Sequence, residues 1–209
     1  MKTKSKKQTG VFTRNLWNPG RILSASILSL VLFMSLLLTS NVTYAHCDTM
    51  DGPLIADAKK AIDQNNVNYV LKWVPVSDEA EIRQAFDQMM KVRGYSTDAK
   101  EPAEKYFFEI LVRVHRAAEG VPFTGVKPSG TPIDEKIMAA DKSIETGNLS
   151  PIKGMVPVEQ INELTKRFDK VMALKNFDVN DVIAGRQYIA AYVQFFKFAE
   201  GEEEGNDVQ

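Results

Sequence analysis

Two apolar patterns divide the chain. Residues 22–38 form an almost unbroken apolar run diluted only by serines, whereas from residue 54 onward apolar side chains recur three and four positions apart, as on one face of a helix. Leu54, Ala58, Ala61 and Ile62 share such a face, and Gln64-Asn65-Asn66 ends it, because short amides favour turns. Residues 67–74 make a short apolar element that stops at Pro75, which discourages helical continuation. Ser77 is placed to cap a third helix, with Ile82, Phe86, Met89 and Met90 on its inner side and Gly94 past its end. Asp98 with Glu101 gives a capping-box start to a fourth helix that runs to Gly120. No stretch alternates apolar and polar residues between hairpin turns, so the pattern predicts an all-α fold.

The pattern also repeats. Ala58, Lys60, Ile62 and Asn66 recur as Ala140, Lys142, Ile144 and Asn148, and Val74-Pro75-Val76 recurs as Val156-Pro157-Val158, all at an offset of 82. Phe86-Asp87 and Met90 recur as Phe168-Asp169 and Met172, and after a one-residue slip Ala118-Glu119-Gly120 matches Ala199-Glu200-Gly201. The expected organisation is therefore an internal duplication, two tandem four-helix units over residues 46–120 and 133–201. In the second unit Asp178 opens the last helix, which ends near Gly201. Residues 121–132, with Pro122, Gly125, Pro128 and Gly130, read as a plain linker, and residues 202–209 as a frayed acidic tail.

Export is read from the amino terminus. Lys2, Lys4, Lys6, Lys7, Arg14 and Arg21 precede the apolar run without any acidic residue, as in a signal peptide. Thr43 and Ala45 place small residues three and one positions before a cut that removes residues 1–45 and exposes His46. The protein is then periplasmic or secreted, with no stable membrane association; the alternative is an uncleaved anchor, as a 17-residue run diluted by serines lies at the short edge of a bilayer span. Lipid attachment at Cys47 is disfavoured, because His46 stands where a small residue is required.

Processing changes the charge balance. All 27 acidic residues remain but only 20 of the 26 basic ones, leaving a net charge of −7 that disfavours nucleic acid and anionic lipid as partners. Cys47 is the single cysteine, so no intrachain disulfide can form. Phosphate-binding loops, CxxC pairs, HExxH and G-x-S-x-G signatures are all missing.

The candidate chemistry lies at the new terminus. A mature His46 supplies an α-amine and an imidazole, and Cys47 adds a backbone amide and a thiolate, four nitrogen and sulfur donors in two residues. Such donors suit Cu or Ni, with Zn also within their range. One ion per chain is expected, and a dipeptide of this kind chelates without any prior fold.

His46-Cys47-Asp48-Thr49-Met50-Asp51-Gly52 resembles the nickel hook of nickel superoxide dismutase, a helical-bundle family whose mature chain opens with His-Cys-Asp. The resemblance implies ligation by the terminal amine, the His46 imidazole, and the amide and thiolate of Cys47. It departs where Asp51 replaces the family's second cysteine and Leu54 its tyrosine, which removes a thiolate that tunes the metal's potential. More widely, the HCDTMDGP opening, residues 106–116 and residues 177–182 resemble a family of uncharacterised exported bacterial proteins, which carries no function to import.

His115 is the only other histidine. At 100° per residue Glu104, Phe108, His115 and Glu119 share one helix face, while Lys105, Glu109, Arg113 and Arg116 form a polar stripe. His115 is either a third metal ligand, with Glu119, Asp51 and Glu104 around the site, or a buried histidine satisfied by Glu119. Its counterpart in the repeat is Phe196 and that of Glu104 is Gly185, so the second unit is expected to be structural. If the helices alternate in direction, the terminus and His115 lie at one end of the first bundle. Three functions follow as expectations: an exported Cu- or Ni-binding protein, a superoxide dismutase-like redox metalloenzyme, or a helical interaction module with a groove between the units and a protein partner the sequence does not name.

Overall fold

Pro53 opens the first helix, where its missing N–H leaves nothing unsatisfied, and Asn65, at φ 49°, carries the chain out of it. A computed structural model describes residues 46–201; the expected signal segment and acidic tail lie outside the described residues. The first half contains α1 (Pro53–Asp63), the single turn α2 (Asn68–Leu71), α3 (Glu79–Arg93) and α4 (Thr97–Ala118). The second contains α5 (Glu135–Thr146), the single turn α6 (Ser150–Lys153), α7 (Ile161–Leu174) and α8 (Val182–Glu200). No strand occurs among the described residues, so the fold is all-α.

The same element order runs through both halves, including a 3-10 turn after each V-P-V, at Val76–Asp78 and Val158–Gln160. That turn corrects the expected start of α3. Ser77 lies inside it, and the helix begins at Glu79 behind Asp78, whose side chain makes no capping bond. Ser96, not Asp98, caps α4 by accepting from the Ala99 amide at 3.1 Å. Asp181, not Asp178, caps α8 through the Ala184 amide, while Asp178 accepts from the Asn180 amide in the turn before it. In each case several short polar residues compete for one role, and the backbone path chooses the one next to free amides.

Helix α3 packs on α4 and α7 on α8, and α5 crosses onto α8. Their apolar faces meet in one core that includes Leu54, Leu71, Ile82, Phe107 and Leu111 from the first half and Ile152, Leu164, Val171 and Phe195 from the second. Two polar clasps also join the halves. Arg186 of α8 donates to the carbonyls of Leu71 and Val74 and to Glu79 Oε1 at 2.6 Å. Lys72, paired with Asp57 at 2.8 Å, lies 5.2 Å from the Phe177 ring of the second half. A Cβ on Gly185 would come within 3.0 Å of both Lys72 and Phe177, so the glycine that replaces Glu104 in the repeat makes room for this clasp.

Candidate metal centre

The motif is folded. His46–Asp48 is a 3-10 turn, closed by the Thr49 hydroxyl donating to the His46 carbonyl at 3.2 Å. The Gly52 amide then donates to the Thr49 carbonyl at 2.9 Å, which brings residue 52 directly beneath the turn. The connector 121–132 lies along it. Met50 donates to the Lys127 carbonyl and Lys127 to the Asp48 carbonyl, an isolated parallel bridge between Thr49 and Lys127. Asp51 anchors the next stretch by accepting from Ser129 Oγ at 2.6 Å and from the Gly130 amide at 2.8 Å, bonds that hold its carboxyl below the usual carboxylate range. The segment read as a plain linker is thus a strap over the motif, and Asp51, read as a neighbour of the metal, is its fastening.

Asp48 turns inward instead. It is 2% exposed and lies 3.3 Å from Arg116 Nε, which ties the motif to the end of α4. Burial raises the Asp48 carboxyl above its ordinary value, partly offset by the Arg116 charge. Immediately before Arg116, His115 is 4% exposed. Its Nδ1 lies 2.8 Å from the Trp73 carbonyl, an acceptor, so this nitrogen carries the proton and Nε2 the lone pair in the neutral ring. Nε2 makes no hydrogen bond, and Glu119 Oε1 stands 3.5 Å away. Asp48 Oδ1 and Arg116 Nε are likewise buried without a hydrogen-bond partner. Three buried polar atoms without a hydrogen bond, on Asp48, His115 and Arg116, are costly in an interior, although Asp48 and Arg116 still form an ion pair.

The His46 ring goes to the second half. Its Nε2 lies 2.8 Å from Asp141 Oδ2 on α5, and its face stacks on Phe196 at 6.2 Å and 18°. Asp141 is held from its other oxygen by the Tyr192 hydroxyl, which donates at 2.8 Å. Burial, then the Asp141 charge, keeps the Tyr192 phenol well above its ordinary value and therefore protonated. Cys47 is half-buried against the core. Burial, followed by the negative charges of Glu119, Asp48 and Asp141, pushes its thiol up, so without a cation it stays protonated. Reactive thiols need the opposite field.

The structure therefore pairs His46 with Asp141, Asp48 with Arg116, and Glu119 with both Arg116 and His115, and places Cys47 in the field of Glu119, Asp48 and Asp141. It does not bring Glu104 to them. Glu104 precedes His115 by eleven residues on α4, about 16 Å along the axis, and pairs with Arg93 at 2.9 Å. Sharing a helical face does not place two residues at the same height. Among the described residues no group of three or more His, Cys, Asp or Glu side chains is placed to hold a metal ion. His46, Cys47 and His115 therefore form no such group, and a hook rests on the two side chains and two main-chain nitrogens of His46 and Cys47. Asp141 and Tyr192 escaped sequence reasoning; the one signal was that the repeat puts Lys59 and Leu111 at their places, a change of chemistry in the second half. An open groove between Val76, Glu79, Ile183 and Arg186 lies between the halves, but no residue of the motif lines it.

A family model matches residues 51–198, most of the described fold. The chain belongs to the family of unknown function DUF6448. The match covers both halves and the strap, and begins at Asp51, just after the His46–Met50 stretch. No curated protein and no solved structure matches the chain.

Proposed function

We propose that this DUF6448 protein is exported and, once cut after Ala45, chelates one Cu or Ni ion through the amine and imidazole of His46 and the amide and thiolate of Cys47. His115 is the additional ligand and Glu119 its neighbour. The two halves descend from an internal duplication in which only the first kept a histidine at this place. The observation that carries the reading is the buried, unpartnered Nε2 of His115 facing Glu119 Oε1 at 3.5 Å. A lone pair beside a carboxylate favours a cation near them; Arg116 already supplies one to Glu119 Oε2 at 3.3 Å, and the charges of Asp48 and Asp141 favour a further one. Metal binding would displace the Cys47 proton and make the thiolate.

Storage, delivery or sensing of the metal fits this arrangement better than turnover, because Asp51, at the place of the second hook cysteine, is committed to Ser129 and Gly130. Native mass spectrometry of protein recovered from the export compartment tests the reading. The expected species begins at His46 and carries one Cu or Ni; a chain beginning elsewhere, or a metal-free chain after growth with both metals, refutes it.

A further inference from the structure

The second half carries a carboxylate–phenol pair aimed at the motif. Asp141 on α5 spans His46 Nε2 and the Tyr192 hydroxyl of α8, at 2.8 Å to each. Both oxygens of the carboxylate are therefore fixed, and the ring they hold is packed on Phe196. A carboxylate accepts only, so Nε2 is the protonated nitrogen of the neutral His46 ring and Nδ1 carries the lone pair. Nδ1 is also the nitrogen that can close a six-membered chelate with the residue's own amine, since Nε2 points to the far side of the ring. Resting on the metal-binding reading above, we propose that Asp141, held by Tyr192, is a positioning residue that fixes His46 in its Nε2–H tautomer so that Nδ1 is the metal donor.

This gives the second half a part in the site. The repeat places Lys59 and Leu111 at the positions of Asp141 and Tyr192. Lys59 donates to the Met50 carbonyl, so in the first half that position supports the motif's backbone, while in the second half it orients the motif's ring. The Tyr192 ring packs 4.4 Å from Phe196 and 5.9 Å from Trp73, whose carbonyl holds His115. Each histidine is thus tied by one nitrogen to an acceptor, which leaves the lone pair of the neutral ring on the other nitrogen, the arrangement by which outer partners orient metal ligands.

The test uses protein beginning at His46, with Ni(II) as the probe because it does not oxidise the thiol. Long-range proton–nitrogen NMR of the metal-free protein reads the His46 tautomer directly, and should show Nε2–H. In D141A the two tautomers should mix and Ni(II) affinity should fall tenfold to a hundredfold. Y192F should give a smaller loss in the same direction, and D141N, whose amide oxygen still accepts, should retain the tautomer. An unchanged tautomer and affinity in folded D141A overturns the positioning role; if D141A does not fold, a Y192F protein identical to wild type in both readouts does so. Failure of the wild-type protein to bind Ni(II) or Cu refutes the metal reading, while the metal-free tautomer still decides what Asp141 does.

Discussion

Gly52 has a φ of −75°, open to any residue, yet a Cβ there would lie 2.1 Å from the His46 carbonyl oxygen. Backbone approach, not backbone freedom, demands the glycine. G52A should displace the His46–Asp48 turn, lowering stability by about 1–3 kcal/mol in denaturant unfolding and weakening Ni(II) binding as well. A variant with wild-type affinity would mean that the turn is not part of the site. His115 is held differently. Its buried ring hydrogen-bonds the Trp73 carbonyl and meets the Trp73 ring edge-on at 5.7 Å. H115A should therefore cost about 2 kcal/mol in addition to weakening metal binding, and a stability loss without any change in affinity would reduce His115 to a core residue.

At the scale of elements, the strap and α8 make the sharpest demands. D51N removes the charge that gathers Ser129 and Gly130, so amide exchange at Met50 and Lys127 should quicken several-fold while the global unfolding midpoint stays nearly unchanged. Exchange unchanged at both amides would show the strap to be held by other contacts. Phe196 is 8% exposed, and F196A should cost about 3–5 kcal/mol; because the ring also backs His46, metal affinity should fall too, contrary to a purely structural second half. Helix existence was legible from the sequence because Leu54, Ala58 and Ile62, or Ile82, Phe86 and Met89, report a periodic face whatever they pack against. Caps were less legible, since Ser77, Asp98 and Asp178 are as good chemically as the residues that serve. The candidate site was legible only where it is local: His46, Cys47 and His115 stand out by type, but Asp141, Tyr192 and the strap reach the motif from far along the chain, and no periodicity records such contacts.

At the scale of the whole molecule, the polar clasps add to the shared apolar core that joins the halves. Hydrogen bonding from Arg186 lowers the Glu79 carboxyl below its usual 4.5, so the folded state binds this proton less readily than the unfolded chain. The stabilisation is complete above that value and is lost as pH falls through the lowered one. E79Q should cost about 1 kcal/mol near neutral pH and almost nothing near the acid end, seen as converging urea midpoints. A constant gap would show that the pair contributes by packing alone.

The central claim is that a free amine on His46 makes the site. Calorimetric titration of Ni(II) into protein beginning at His46, and into the same protein with one alanine added before it, tests that claim most directly, because the addition converts the amine to an amide and leaves every side chain in place. One tight site per chain, lost in the extended protein while its helical spectrum is unchanged, is the predicted result. Equal affinity in the two proteins would contradict it.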